Sequence, residues 1–349
     1  MDTYQEFNLP DEKAIRNKPV TIDLNDEYLF KHEYKKNLSA VFPIIRKKIY
    51  LSLCGKLVSG LKINSFQFSK KLSLSELIKM YLKYFFFLTK IRKVKKINKI
   101  IFITNSNSHN FFHWFLDVFQ KLELINQNKE FILKNDIKIV IPHIYSDYYV
   151  KKSLEVYDLD FYLQKKNELI LMKESIFIPN LAPTGNYRKK LVLKLSDRLR
   201  NYWIDKINYN KNFERIYVTR KNSYKRKLLN EDKIISILLE HKFKIVDFDK
   251  LSFLEQLSYA LNTKILASIH GAALTHMLWI KPKSKVLEIR SRNNSHDNCY
   301  YSLASDLGHD YYYFKADKAN IGISDHYSDL KIDEDYFSSR LKKILSARY

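Results

Sequence analysis

From Arg215 onward the sequence keeps a rhythm that few folds accommodate. Apolar runs of five or six residues, "RIYVT", "KIVDF", "KILASI" and "KVLEIR", alternate with stretches of helical spacing. Apolar residues without polar alternation mark strands covered on both faces, as in a parallel sheet. Between the runs lie "NEDKIISILLEHK", with acidic residues in its first turn where they suit the helix dipole, and "FLEQLSYALN", led by the capping box Ser252/Glu255. "AALTHMLW" is the third helical stretch. The order β-α-β-α-β-α-β predicts a doubly wound α/β domain.

The first half alternates less cleanly. Ser73 and Glu76 form a capping box ahead of Leu74, Leu77, Ile78, Tyr81, Leu82, Phe85 and Phe86, which predicts an amphipathic helix over 74–88. The basic run 90–99 follows. This segment reads as a core-facing helix with a solvated basic end, or as a peripheral foot on an anionic membrane. Strands are expected at 99–104 and 137–142 and at "ELILM" and "SIFIP", with helices over 111–125, near 153–157 and over 190–206. Pro183 and Gly185 mark a boundary region at 180–190. A chain of 349 residues exceeds what one core usually organises, so two domains are expected, 1–190 and 191–349, with 1–90 unassigned.

The net charge of +23 suits an anionic partner, or is solvated lysine-rich surface. Two cysteines make no disulfide framework and fit a reducing compartment. The N-terminal residues lack the pattern of a signal peptide, and the aromatic run 84–88 is far short of the ~20 residues that span a bilayer. A cytoplasmic protein, peripheral at most at the inner face of the membrane, is expected.

Three stretches carry chemistry. "KILASI" ends in the corner His270-Gly271-Ala272-Ala273. Ligands of open parallel sheets bind beyond the carboxyl ends of strands, and a helix start there offers N–H groups to phosphate. Gly271 would let the backbone turn sharply and a ligand approach; alternatively, the small residues serve close helix–sheet packing. His270 and His276 do not share a helix face, which excludes a zinc pair. The loop "RKNSYKRKLLNE" crowds Arg220, Lys221, Lys225, Arg226 and Lys227 at another strand's carboxyl end, as suits a diphosphate. Glu288 at the end of the last strand is placed to accept from ribose or sugar hydroxyls. On the 111–125 helix, Asn110, His113 and Asp117 form a polar stripe at i, i+3 and i+7. A His–Asp pair there serves as a general base or as a structural pair.

In combination and order, "NFFHWFLDVFQKL", "RIYVTRKNSYKRKLLNE" and "LSFLEQLSYALNTKILASIHGAALTHMLWIKPKSKVLEIR" resemble the family 61 glycosyltransferases. The resemblance covers roughly residues 99–290. It departs at the turn before "NFFHW", where "SNS" replaces glycines, and at "THMLW" in place of Thr-Asn. It implies a GT-B architecture: two Rossmann-like domains facing across a cleft, with the acceptor on the N-terminal domain and the donor on the C-terminal one. It implies inversion at the anomeric carbon, no metal and no cofactor. A nucleotide-sugar, UDP-linked, is the expected co-substrate, and a glycan or lipid-linked acceptor of capsular or surface polysaccharide synthesis the expected partner. Arg220, Arg226, His270 and Gly271 match the positions expected to hold the diphosphate, with Ala272 at the helix start. Asn230, Glu231, Glu255 and Gln256 match positions that shape the donor domain. His113 or Asp117 is the candidate base, and Asn110 lies on the acceptor side.

A phosphotransferase of polyol-phosphate capsule synthesis would share the phosphate corners. A basic nucleic-acid-binding protein would need aromatics interleaved with basic residues on a readout element. Here the aromatics fall within apolar runs, so no nucleic-acid partner is expected.

Overall fold

The computed structural model describes residues 4–20, 23–59, 62–64, 68, 73–145, 147–208, 213–320, 322–325 and 327–347. The chain divides into two compact units. The first is Met1–Glu12 with Asn37–Thr184, and the second is Lys13–Lys36 with Gly185–Tyr349. The break after Thr184 falls in the Pro/Gly-rich region, a few residues before the expected 190. The early excursion 13–36 into the second unit has no counterpart in the sequence reading.

The strands of the first half are β1 (Glu12–Ile15), β2 (Lys35–Leu38), β3 (Ile44–Leu51), β4 (Leu57–Ser59), β5 (Lys62–Ile63), β6 (Lys93–Phe102), β7 (Ile137–Ile141), β8 (Phe161–Leu163) and β9 (Glu168–Phe177). β1 and β2 pair as a ribbon that brackets the excursion. The first unit is built on a seven-stranded sheet of order β5-β4-β3-β9-β6-β7-β8. β9, β6, β7 and β8 run parallel, and β3, β4 and β5 extend the sheet antiparallel. Ile100, Phe102, Val140, Ile170 and Phe177 form the core against β3.

Three expectations for this unit are corrected. "ELILM" and "SIFIP" are one strand of ten residues, β9, carried through Lys173 and Glu174 by pairing with both β3 and β6. The basic run 90–99 is largely strand: β6 begins at Lys93, and its lysines stand in solvent because only β9 pairs with this half. The helix Leu74–Leu88 carries the expected Ser73/Glu76 capping box, yet Tyr84 is its one buried residue among those described. Its inner face covers Cys54, Val58 and Ile63, and the rest of its apolar surface is open to solvent.

The second unit contains β10 (Arg215–Val218), β11 (Lys244–Val246), β12 (Ile265–Ile269), β13 (Lys285–Ser291), β14 (Asp310–Lys318) and β15 (Leu330–Lys331) in the order β11-β10-β12-β13-β14-β15. All pairs are parallel except the edge pair β14–β15. Helices Glu231–Glu240 and Phe253–Ala260 make the crossovers β10→β11 and β11→β12, and the Ser252/Glu255 capping box is present. After β10 the chain moves to one side for β11, then returns to the other for β12. The strand order therefore reverses between β10 and β12, and a crevice opens there beyond their carboxyl ends. The loop at Arg220 and the corner at His270 lie at those two ends. The expected helix after β12 is instead a 3₁₀ segment, Ala272–Leu278.

The excursion 13–36 is held in the second unit by Arg16. Its side chain, fully buried, donates to Asp306 Oδ2 at 3.0 Å, Glu33 Oε2 at 3.2 Å and Asn186 Oδ1 at 2.9 Å. Arg16→Leu takes the guanidinium away from the buried Asp306 and Glu33 carboxylates, and urea unfolding is expected to show a loss of ~3–5 kcal/mol, partly recovered by adding Asp306→Leu. A loss below ~1 kcal/mol would mean that other contacts hold the excursion.

Candidate active site

The second unit gathers positive charge at the switch point. Of the five cations in the loop after β10, three face outward. Lys221 pairs with Asp232 at 2.8 Å, Lys225 lies over the Tyr327 ring, and the Lys227 main chain is fixed by Asp329. Arg220 and Arg226 turn inward. Arg220 Nη2 donates to Ser223 Oγ at 2.8 Å and to the Lys225 carbonyl at 3.3 Å. Arg226 is buried and takes a left-handed backbone conformation, φ 54°. The Nε atoms of both arginines are buried without hydrogen-bond partners, and neither residue makes an ion pair among the described residues. Burial and the nearby Arg226 guanidinium both lower the Arg220 pKa. Two such cations brought together and dried are costly unless an anion joins them.

Glu231 fixes where this loop starts. Its Oε1 accepts from Tyr217 OH at 2.7 Å, Thr219 Oγ1 at 2.9 Å and the Arg220 N–H at 3.3 Å. Asn230 ties the loop's far end to the Ile332 carbonyl. Both are scaffold residues.

The corner after β12 differs from the sequence reading in detail. Gly271 has φ 167°, extended backbone that any residue adopts, so no special turn requires glycine. Space does: a β-carbon there would stand 2.4 Å from Arg220 Nη1 and 3.1 Å from its Cζ. The seven-residue 3₁₀ segment that starts at Ala272 offers a weaker dipole than the expected helix. Glu288 cannot accept from a sugar as it stands. It is fully buried, with Oε1 2.5 Å from His270 Nδ1 and Oε2 taking the Tyr311 hydroxyl at 2.5 Å. Burial pushes this carboxyl up, but His270, Arg290 and Tyr311 together hold it below the ordinary value. Glu288 thus anchors Nδ1 and leaves Nε2 of His270 as the ring nitrogen for a ligand. Tyr300, which the sequence did not single out, packs its ring 5.0 Å from that of His270. The excursion contributes from below, with Phe30 stacked under the Arg290 guanidinium.

His276 lies apart from this centre. Its Nδ1 lies 3.0 Å from the Ala273 carbonyl and its Nε2 3.0 Å from Gln256 Oε1, and the neutral ring donates to one of them. Gln256 in turn donates to the Phe248 and Leu251 carbonyls, so this pair is structural.

The first unit holds the second centre. The expected continuous helix is Phe111–His113, a π-helical turn Trp114–Val118, then Phe119–Gln127. His113 Nδ1 lies 2.8 Å from Asp117 Oδ2, and Asn180 Nδ2 reaches the same oxygen at 3.4 Å. His113 keeps 19% of its side chain exposed and Asp117 7%. Asp117 Oδ2 is thus occupied, and Nε2 of the more exposed His113 has no hydrogen-bond partner among the described residues. Asn110 does not join them: its side chain caps the helix by accepting from the Phe112 N–H at 2.9 Å. Lys121, one turn beyond Asp117, is fully buried and donates to the Ile103 carbonyl at 2.8 Å. Burial pulls its pKa down to about 8 against the attraction of Asp117. Neither Lys121 nor Asn180 was visible as a site residue in sequence. Among the described residues no three His, Cys, Asp or Glu side chains are grouped to hold a metal ion. No helix of those residues is long and apolar enough to cross a membrane.

The family model named Glycosyltransferase 61 matches residues 111–287, half of the chain, and the chain belongs to this family. The match takes in His113, Asp117, Arg220, Arg226, His270, Gly271 and Ala272. Curated relatives carry the name EGF domain-specific O-linked N-acetylglucosamine transferase. The Drosophila melanogaster protein is 36% identical over 91 residues, 25% of this chain and 17% of the relative. The Mus musculus protein is 33% identical over 95 residues, 26% and 18% of the two chains. The Xenopus laevis protein is 33% identical over 102 residues, 28% and 19%. The chain therefore matches less than a fifth of the length of these relatives.

Two measurements follow. Gly271→Ala displaces the Arg220 guanidinium while keeping an acceptable backbone. Its thermal stability should stay within ~1 kcal/mol of the parent, while affinity for inorganic diphosphate falls ~10-fold or more by calorimetry. Burial pulls the imidazoles of His276 and His309 from 6.5 down to about 3 and about 4. Below pH ~6.5 the unfolded chain therefore takes up protons that the folded chain refuses, and stability falls as pH drops from there toward 4. Urea unfolding at about pH 5 against about pH 7.5 should show this loss, and His309→Gln should make it shallower.

Proposed function

We propose that the protein is a glycosyltransferase that moves a sugar from a nucleotide-sugar to a glycan or lipid-linked acceptor, in capsular or surface polysaccharide synthesis. The observation that carries this reading is Arg226, buried with its Nε unpartnered and with no ion pair among the described residues, beside Arg220 at the switch point of a doubly wound sheet. Family membership selects sugar transfer from the reactions that such a phosphate site could serve. The relatives' printed name, an O-linked N-acetylglucosamine transferase, agrees with the class.

In this reading the architecture is GT-B. The second unit takes the donor, UDP-linked, and the first takes the acceptor. Arg220, Arg226 and His270 Nε2 hold the diphosphate. As the bond from the anomeric carbon to the phosphate oxygen breaks, the electron pair stays on that oxygen, and the guanidinium groups offset the new charge. They stand where a metal ion would otherwise serve, which fits a metal-independent transfer. His113, held by Asp117 at Nδ1, takes the acceptor hydroxyl proton on Nε2. The acceptor oxygen attacks from the face opposite the leaving group, and the configuration inverts. Asp117 orients the ring and stabilises its charged form. Asn110 serves as a cap.

The test is calorimetry with UDP, followed by a screen of UDP-sugars. Arg226→Met should weaken UDP binding ~10–100-fold with uridine as the phosphate-free control, since charge-assisted hydrogen bonds contribute ~1.5–3 kcal/mol. Unchanged affinity would remove the diphosphate role. His113→Ala should lose transfer ~10²–10⁴-fold with UDP binding intact, and Asp117→Asn should lose less than His113→Ala. Release of UDP marks cleavage at the sugar carbon, whereas release of UMP would mark a phosphotransferase.

A further inference from the structure

The helix Leu74–Leu88 is apolar on two faces, and one has no partner among the described residues. Tyr84, Met80, Tyr81, Phe87 and Leu88 turn inward onto Cys54, Val58 and Ile63. Leu74, Ile78, Leu82, Phe85 and Phe86 turn outward at i, i+4, i+8, i+11 and i+12, and they are 75, 52, 65, 47 and 58% exposed. Five large apolar side chains in one stripe is not the scattered exposure that globular surfaces tolerate.

The stripe has a mainly cationic rim, with Glu76 in the capping box as the helix's one carboxylate. Lys79 and Lys83 flank it, and Lys90 Nζ sits 4.1 Å from the centroid of the exposed Phe86 ring. Arg92, Lys93, Lys95 and Lys96 follow in exposed positions at the start of β6. From residue 77 to residue 99 the chain has eight Lys and Arg and no Asp or Glu.

We propose that this helix docks the protein on an anionic lipid bilayer, lying flat with its outer stripe among the acyl chains and its lysines at the headgroups. Fifteen residues make a cylinder ~22 Å long, too short to span a bilayer and suited to its surface. Charge decides between occupants. A second copy paired face to face would bring together two rims in which cations outnumber the helix's one carboxylate, Glu76, already bonded to the Ser73 N–H. Anionic headgroups meet every lysine, and the acyl region takes the Leu, Ile and Phe side chains. An enzyme so docked would work along the membrane plane.

The full chain is to be tested by co-sedimentation with vesicles of phosphatidylcholine alone and with an equal part of phosphatidylglycerol. Binding to the anionic vesicles is expected to be ~10-fold or more stronger, and to weaken as salt is raised. Leu82→Ser/Phe86→Ser changes exposed positions only, so it should keep its circular dichroism and its UDP affinity while losing vesicle binding. Lys79→Gln/Lys83→Gln/Lys90→Gln should reduce binding to anionic vesicles toward the neutral level. Equal binding to both vesicle types overturns the proposal, as does vesicle binding that survives Leu82→Ser/Phe86→Ser. Failure to bind vesicles, with a dimer abolished by Leu82→Ser/Phe86→Ser in sedimentation velocity, assigns the face to a second copy. No binding and no dimer also overturns it. UDP affinity is read separately in each variant, so the donor reading stands or falls independently.

Discussion

Two guanidinium groups held together in a nearly dry place are unstable company. Arg220 and Arg226 repel each other, have lost water, and make no ion pair among the described residues, although the Asp249 and Glu231 carboxylates lie near enough to act on Arg220. Everything around them accommodates that arrangement. Ser223 and a main-chain carbonyl hold one end of Arg220, Glu231 fixes the loop from which it springs, and Gly271 gives up its β-carbon so that the guanidinium can lie against the next strand's corner. The parallel sheet brings these pieces together because its order reverses between β10 and β12. A pair of cations so placed costs internal stability, which is why the proposed function gives them an anion to hold.

The polar stripe of the first unit follows a different logic. A helix rich in aromatics would hide a carboxylate only at a cost, and Asp117 is compensated three ways. His113 and Asn180 share its Oδ2, and the buried Lys121 lies one turn on. The π turn changes the angular step along the helix where this cluster sits. Such turns recur at functional sites, since a plain α-helix would aim the same side chains elsewhere.

Much of the second unit was legible because its signals are local. Continuous apolar runs, capping boxes and a basic loop at a strand end need no knowledge of tertiary structure. What was missed is long-range. Phe30 and Arg16 reach the second unit from a stretch without periodicity, and Asn180 meets Asp117 across 63 positions of sequence. Glu288 was expected at the end of the last strand, but it sits in the middle of β13 with β14 and β15 still to follow. It is buried because Tyr311 and His270, which occupy both its oxygens, come from the neighbouring strand β14 and the end of β12. β6 was shortened because its lysines resemble a solvated tail, and only the pairing with β9 makes them strand. The core-facing reading of the Leu74–Leu88 helix holds for one side only: Tyr84, Met80, Tyr81, Phe87 and Leu88 face the core, while the apolar residues of the other side lie open to solvent.

The backbone at Arg226 has a consequence for anyone who would engineer this chain. A residue with a β-carbon at φ 54° gives up about 1 kcal/mol that glycine would not. A selection for heat resistance, applied without regard to activity, would therefore favour glycine at this position. The guanidinium would vanish from the pocket as the melting temperature rose. If Arg226 serves the proposed donor site, tolerance to heat and function compete at this one residue, and directed evolution of the protein should hold it constant.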